Sequence, residues 1–336
     1  VVIALLIAGA VKFASLYRGA FSPNLRTPDH KPFYLLIPTG ADYQEVLDSI
    51  AAHKLVKNTR SLDWVAKRKK YPERVKPGRY KVTHGMSNAA FINMLRSGTQ
   101  APVNVVINIA RTPDDLALRI SQQIEAPAEE LTRMMHDAAV LGEYGFTRET
   151  ILGMFIPNTY EFWWNTGAEA FFKRMNREYE KFWKGSRDEK AGRIGLDRNG
   201  VITLASILIN ESNKEDEYRR MAGVYINRLN KDIPLQADPT VKFALGDFER
   251  KRILKKDTRI DSPYNTYIHA GLPPGPIALP TVSAIDAVLD YEHHDYLYFC
   301  AREDNSGYHN FARTLEQHNK NARSYQKWLN RRNILH

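Results

Sequence analysis

The sequence predicts an α+β protein with an N-terminal membrane-anchor helix, a small α/β module and a C-terminal mixed α+β domain. Three observations support this prediction. The chain begins with an uncharged apolar stretch, and short strands alternate with helices in residues 33–100. Residues 193–336 begin and end with helical patterns around an irregular segment rich in proline, glycine and tyrosine. With 336 residues, 43% of them apolar, the chain can form two or three domains with buried cores.

The apolar stretch covers residues 1–11, VVIALLIAGAV, and Lys12 follows it. Eleven helical residues span only about 16 Å, roughly half of a bilayer core. We therefore expect the chain to begin partway through a longer apolar segment, with residues 1–20 forming a truncated transmembrane anchor. A trimmed signal peptide is one alternative. A core helix is another, although a core helix should be amphipathic.

Residues 21–32 contain three prolines and no periodic pattern, which predicts a stiff polar linker. An anchor followed by a linker indicates a soluble body outside the cytoplasm. That body begins with the module at residues 33–100, where Phe33–Ile37 and Arg79–Val82 are predicted strands. Helical spacing is found between these strands, and a further helix is predicted from Ser87 to its C-cap, Gly98.

The rest of the chain is predicted as two further regions. Residues 101–192 open with a strand at Val103–Ile107 and are otherwise mostly helical. Residues 193–336 form the C-terminal domain.

Charge and cysteine content exclude several classes of function. The net charge is +10, and residues 54–81 hold eleven basic side chains against two acidic ones. This segment indicates either a surface that faces polyanions or simply a solvated helix followed by a strand. Three aromatic residues, Trp64, Tyr71 and Tyr80, lie within it and it has no recognised nucleic-acid motif, so we expect no nucleic-acid partner. The single cysteine, Cys300, excludes an internal disulfide framework and a multi-cysteine metal site.

The common signatures of nucleotide-binding loops, serine hydrolase elbows and zinc peptidases do not occur in the sequence. The strongest chemical candidate is Glu211, which ends a helix that is apolar on nearly every face. A carboxyl group packed against Leu208 and Ile209 should have a raised pKa, as a general acid at neutral pH requires. The alternative is an ordinary solvated acid at a helix end. Ser212 beside it also fits a capping box with Glu215.

Downstream, two irregular segments offer polar and aromatic groups, at residues 235–240 and 262–267, and a proline-rich segment follows at 271–277. They are either rigid structural loops or the wall of a sugar-binding groove. In a groove, tyrosine faces would stack on sugar rings, and Asn265 and Gln236 would pair with acetamido or hydroxyl groups. The candidate substrate-binding residues are Ser212, Gln236, Asp238, Thr240, Tyr264, Asn265 and Tyr267.

Taken together, these segments resemble the YceG-like family of endolytic murein transglycosylases. The resemblance rests on Ala205–Ser212, Asn227–Leu229, Leu235–Thr240, Ser262–Tyr267, Gly271–Ile277, Tyr296–Phe299, Gly307–Phe311 and His318–Asn319. Upstream, Lys76–Tyr80 and Gly85–Ser87 are similar to the LysM-like module of that family, which the resemblance places at residues 33–100. The apolar start of the chain fits the family's single-pass topology.

Three positions depart from the family pattern. Ile209 stands where the family usually has a second glutamate, which favours Glu211 as the catalytic acid. Leu152 and Asn158 stand where the family has acidic residues, so no functional acid is expected at those two positions.

The resemblance implies non-hydrolytic cleavage of the MurNAc–GlcNAc β-1,4 bond within glycan strands, leaving 1,6-anhydro-MurNAc ends. Glu211 would be the single general acid and base, in a catalytic domain at residues 193–336, and neither a metal nor a cofactor would be needed. The implied partner is peptidoglycan, with peptidoglycan synthases as further candidates. The implied location is the inner membrane, with the soluble body in the periplasm. A non-catalytic peptidoglycan-binding scaffold and a nucleic-acid-binding protein are the rival interpretations.

Overall fold

The computed structural model describes residues 2–250 and 253–331. Val1, in the predicted anchor, and residues 251, 252 and 332–336, in the predicted C-terminal domain, lie outside the described residues. The chain divides into two compact units. The first comprises Val1–Val105, Ile120–Pro127 and Tyr160–Gly167; the second comprises Val106–Arg119, Ala128–Thr159 and Ala168–His336.

The described residues form a mixture of α-helices and short strands, which confirms the α+β class. The helices are α1 Val2–Phe21, α2 Tyr43–Ala52, α3 Thr59–Arg68, α4 Asn88–Ser97, α5 Pro113–Ser121, α6 Ala128–His136, α7 Ala138–Glu143, α8 Ala168–Trp183, α9 Ser186–Arg193, α10 Arg198–Glu211, α11 Tyr218–Leu229, α12 Asp238–Leu245, α13 Val282–Leu289 and α14 Leu315–Arg331. The strands are β1 Phe33–Ile37, β2 Gly78–Val82, β3 Val103–Ile107, β4 Asn158–Phe162, β5 Tyr298–Ala301 and β6 His309–Ala312.

Helix α1 extends beyond the apolar stretch of residues 1–11. Its 20 residues span about 30 Å, the thickness of a bilayer core. Its mean hydropathy is 1.5, and its large apolar side chains are exposed. By length and composition, α1 can therefore serve as a membrane anchor or as a signal sequence. Rings in its C-terminal half contact one another: Phe13 stacks on Tyr17, and the ring of Tyr17 is tilted against that of Phe21.

The module in the first unit has the predicted strands β1 and β2, which pair antiparallel with Leu35 opposite Tyr80. Both of these side chains point into the core, together with apolar residues of α2, α3 and α4. Leu25, from the segment expected to be a linker, is fully buried in this core. Buried Asn88 donates to the carbonyl of Gly19 at 2.8 Å, which ties the end of α1 to the module.

Strand β4 pairs with β3 and was not anticipated from the sequence, where this region reads as mostly helical. The second unit then builds its core around α10, whose residues Val201–Leu208 are all buried. Asp197 caps the start of α10 by accepting a hydrogen bond from the backbone of Gly200. The central helix α10 contacts α11, α12 and α13.

Two further features fix the surroundings of the α10 C-terminus. The hydroxyl of Ser206 accepts a 3.0 Å hydrogen bond from the backbone of Ile277, which holds the proline-rich segment against α10. Strands β5 and β6 form an antiparallel hairpin that contacts α14. His309 of this hairpin lies 2.8 Å from the buried carboxylate of Glu217, immediately before α11.

Candidate active site

Glu211 is the last residue of α10, and it lies in a cleft of about 410 Å³. The helix stops there because Ser212 adopts an extended backbone conformation, with φ −147° and ψ 147°. The hydroxyl of Tyr225, on α11, donates a 2.9 Å hydrogen bond to Oε1 of Glu211. The end of a buried helix thus places one carboxyl group in the lining of a cleft, with one of its oxygens accepting a hydrogen bond from a buried hydroxyl.

Burial is the main cause that raises the pKa of Glu211, to about 7. The negative charge of Asp238 raises this pKa further, whereas the Tyr225 hydrogen bond and the positive charge of Lys242 lower it. A carboxyl group with a pKa near neutrality can donate a proton in one step and accept one in the next. The apolar sequence of α10 predicts this rise in the pKa of Glu211.

Tyr225 is 2% exposed, and its ring packs edge to face on Phe299 at 5.7 Å between centroids. Burial first, and then the charge of Glu211, raises the pKa of the Tyr225 hydroxyl well above its usual value. The hydroxyl therefore remains a hydrogen-bond donor throughout the neutral range. The helical spacing of Tyr225 predicts only packing, so its place in the site is not evident from the sequence.

Gln236 lines the cleft, and its backbone has φ +53°, which is uncommon for a residue other than glycine. Its side-chain oxygen accepts a 2.6 Å hydrogen bond from the guanidinium of Arg228. Arg228 is 6% exposed, and it also donates to the carbonyls of Pro234 and Leu297. Arg228 therefore orients the side chain of Gln236 through its oxygen. The side-chain nitrogen of Gln236 takes no part in this hydrogen bond.

Asp238 and Tyr267 form a second polar pair on the cleft wall. The Tyr267 hydroxyl donates to Oδ1 of Asp238 at 2.6 Å. Burial and this hydrogen bond, in that order, raise the pKa of Tyr267 above its usual value. The structure thus brings Gln236, Asp238 and Tyr267 together with Glu211 around one cleft.

Thr240 and Asn265 lie outside the lining of this cleft, and each is fully buried. The Asn265 amide donates to the carbonyls of Thr258 and Ile260, at 3.1 and 2.8 Å, and its oxygen accepts from the backbone of Tyr267. The Thr240 hydroxyl donates to the carbonyl of Ala237 at 2.8 Å. Both side chains hold the loops that carry the cleft residues.

Ser212 and Tyr264 also lie outside the lining of the cleft. The Ser212 hydroxyl is buried and accepts from the backbone of Lys214, two residues on, rather than from Glu215. The ring of Tyr264 packs on Phe243 with centroids 4.6 Å apart.

The hairpin and α14 also line the cleft, with Tyr298, Phe299, Leu315, His318 and Asn319. His318 stacks on Tyr298 at 5.3 Å. Its buried Nδ1 has no hydrogen-bond partner among the described residues. Burial first, and then the charge of Arg228, lowers the pKa of His318, so its ring is neutral at pH 7. From the sequence, these residues stand out only through their resemblance to a family, because Tyr298 and His318 are too far apart along the chain to predict that they line one cleft.

Within the described ranges 2–250 and 253–331, no group of three or more His, Cys, Asp or Glu side chains is arranged to hold a metal ion.

Comparisons with known proteins agree with one another. A sequence model described as the YceG-like family matches residues 35–324. A protein named endolytic murein transglycosylase, from Bacillus subtilis (strain 168), is 29% identical over 308 residues, which cover 86% of this chain and 83% of that protein. A protein of the same name from Streptococcus pneumoniae (strain D39) is 28% identical over 320 residues, which cover 85% of this chain but only 57% of that protein.

Among solved structures, a yceG-like protein from Listeria monocytogenes matches with a TM-score of 0.57 and 28% sequence identity. The match covers 87% of this chain and 99% of that one.

Proposed function

This chain belongs to the YceG-like family, and we propose that it is an endolytic murein transglycosylase that cleaves the MurNAc–GlcNAc β-1,4 bond within glycan strands. The observation that carries the proposal is a single carboxyl group, Glu211, with a pKa near 7 in a cleft large enough for sugar rings.

In the first step, protonated Glu211 donates its proton to the glycosidic oxygen, and the bond from that oxygen to C1 of MurNAc breaks. The GlcNAc side leaves with a new hydroxyl group. The Glu211 carboxylate then takes the proton of the C6 hydroxyl of the same MurNAc while O6 bonds to C1. The product is a 1,6-anhydro-MurNAc end, and Glu211 is protonated again.

One acid suffices in this scheme because the nucleophile belongs to the substrate. Most glycosidases need a second carboxylate as nucleophile or base. Here the attack by O6 is intramolecular and benefits from a high effective concentration. Asp238 also lines the cleft, and its role in this proposal is to keep Glu211 protonated through the repulsion between the two negative charges.

Gln236, Asp238 and Tyr267 are the proposed substrate contacts on one wall of the cleft, since their side chains line it beside Glu211. Neutral His318 is a further proposed contact, because its Nδ1 lacks a partner among the described residues. The proposed role of Thr240 and Asn265 is to stabilise, through their hydrogen bonds to the backbone, the loops that carry these residues. Ser212 is proposed to end α10 at the right place, and Tyr264 to brace the loop that precedes Tyr267.

We further propose that α1 anchors the protein in the inner membrane with one span, so that both units lie in the periplasm near newly made glycan. Peptidoglycan synthases are the proposed neighbours there. The module at residues 33–100 is proposed to be LysM-like and to belong to the glycan-binding apparatus.

The variant Glu211→Gln tests the catalytic proposal. We expect it to keep the wild-type circular dichroism spectrum and melting temperature at pH 5, and to release no anhydro-ended fragments from purified peptidoglycan. The matched control Glu215→Gln changes an exposed acid four residues away and should retain full activity. Normal fragment release by Glu211→Gln would rule out this role.

A further inference from the structure

A second cavity, of about 510 Å³, lies in the same unit as the active cleft and shares two helix ends with it. On α10, Glu211 lines the active cleft, whereas Ile209 and Asn210 line the second cavity. On α12, Asp238 lines the active cleft, whereas Lys242, one turn later, lines the second cavity. A ligand bound at Glu211 therefore lies about one helical turn from the second cavity.

The second cavity is positively charged. Lys242 and Arg111 line it, and the part of its lining that the structure describes includes no acidic side chain. Lys242 makes no ion pair within residues 2–250 and 253–331, and its charge reaches Glu211, whose pKa it lowers. The acid beside Arg111 is Glu249, whose side chain is 98% exposed and 4.0 Å away. Such a contact is screened by water and leaves Arg111 able to bind another anion.

The remaining walls are apolar or carry amide and hydroxyl groups. Arg111 lies over the ring of Phe248, with 5.2 Å between its guanidinium carbon and the ring centroid, which holds the guanidinium at the cavity edge. The apolar lining residues include Ile109, Ile209, Phe243, Phe248, Ile277 and Leu279, and the polar ones include Asn210, Asn213 and Thr281. A flexible chain of amides, small apolar groups and carboxylates matches this lining better than a sugar ring does.

Peptidoglycan contains such a chain, because each muramic acid carries a short peptide on its lactyl group. The sugar rings themselves have no carboxylate, whereas the peptide has several. We propose that the second cavity binds the peptide stem of a muramic acid next to the scissile bond, with Arg111 and Lys242 pairing with stem carboxylates. This inference rests on the proposed function, since it assumes a glycan strand at Glu211. Binding of the stem in this cavity makes the enzyme selective for strands that still bear peptides.

The test compares two substrates for the full-length protein: glycan strands with stems, and the same strands after an amidase has removed the stems. The amidase hydrolyses the amide between the lactyl group and the peptide, so denuded strands gain a free lactyl carboxylate and lose the stem carboxylates. Loss of one charge-assisted pair reduces binding about tenfold. We therefore expect wild-type kcat/KM to be at least about tenfold higher on strands with stems.

Arg111→Gln should lower kcat/KM about tenfold on strands with stems, mainly through KM. On the denuded substrate, kcat/KM should stay within about twofold of the wild-type value. Lys242→Gln should lower kcat/KM similarly on strands with stems, and it should also shift the pH profile upward on both substrates because it removes a charge that lowers the pKa of Glu211. The control Lys231→Gln changes an exposed cation that lines neither cavity, and it should leave kcat/KM unchanged on both substrates.

Equal wild-type kcat/KM on the two substrates would overturn the inference while leaving the proposed function intact. An equal loss on both substrates in Arg111→Gln would overturn it as well. If the wild type cleaves neither substrate, the proposed function fails, and the inference fails with it.

Discussion

The hydrogen bond from Tyr225 to Glu211 offers a direct way to change the pKa of the proposed catalytic acid. Tyr225→Phe removes a donor that lies 2.9 Å from Oε1 of Glu211 and leaves the buried ring in place. This hydrogen bond stabilises the carboxylate and so lowers the pKa. A hydrogen bond to a charged group contributes about 1.5–3 kcal/mol, and one pKa unit corresponds to about 1.4 kcal/mol.

The pKa of Glu211, about 7 in the wild type, should therefore rise by about one to two units in Tyr225→Phe. In the free enzyme the protonated acid is the active form, so kcat/KM falls on the alkaline side as Glu211 loses its proton. That alkaline limb should move from near pH 7 to about pH 8–9 in the variant.

The assay is kcat/KM on soluble glycan strands from pH 5 to pH 10. The control Tyr218→Phe removes a neighbouring hydroxyl that donates to the carbonyl of Ser212 rather than to Glu211, so its alkaline limb should stay near pH 7. An unchanged limb in Tyr225→Phe, or a limb shifted to lower pH, would refute the assignment of this pKa to Glu211.

Three further predictions concern stability. Because folding raises the pKa of Glu211 from 4.5 to about 7, its ionisation should cost the wild type about 3 kcal/mol of unfolding free energy as the pH rises from 4.5 through 7. Denaturant unfolding at pH 5 and pH 8 should show that Glu211→Gln lacks this loss, and an identical pH dependence would contradict the burial of the carboxyl group. Asn265→Ala should destabilise the protein by about 2–4 kcal/mol, since two backbone carbonyls lose their buried donor; exposed Asn230→Ala is the control, and equal melting temperatures would count against a supporting role. Asn88→Ala removes buried bonds to Gly19 and Ser61 and should lower the stability of the first unit by about 2–3 kcal/mol, measured by thermal melting, without changing kcat on soluble strands.

The raised pKa of Glu211 could be predicted because a helix that is apolar on nearly every face must be buried, and burial removes its terminal carboxyl group from water. The apolar side chains that line the cleft beside Glu211, such as Val224, Leu235 and Phe299, come from other segments and could not be predicted. Tyr225 could not be assigned to the site in the same way. Its helical spacing predicts packing, and only the crossing of α10 and α11 brings its hydroxyl to Glu211. The same limit applies to Arg228, whose contacts at Pro234, Gln236 and Leu297 come from separate segments.

Polar residues in loops were harder to interpret from the sequence. Asn265 has the amide that a sugar contact would need. In the folded protein, however, both the nitrogen and the oxygen of that amide form hydrogen bonds with backbone groups of the local turn. In residues 21–32, three prolines and the lack of periodicity predict a linker. One apolar side chain, Leu25, nevertheless reaches the module core, and a single residue cannot produce a periodic signal. Strands β5 and β6 were not predicted because their sequences, YFCA and HNFA, do not alternate between apolar and polar residues.

In the proposed mechanism, Glu211 alone moves the proton while the muramic acid supplies its own nucleophile. Mass spectrometry of the fragments that the wild-type protein releases from intact sacculi tests this directly. We predict new ends that are 1,6-anhydro-MurNAc, 18 Da lighter than the corresponding reducing ends because no water has been added. Fragments with reducing MurNAc ends, carrying ¹⁸O when the reaction runs in labelled water, would instead show hydrolysis and contradict the account.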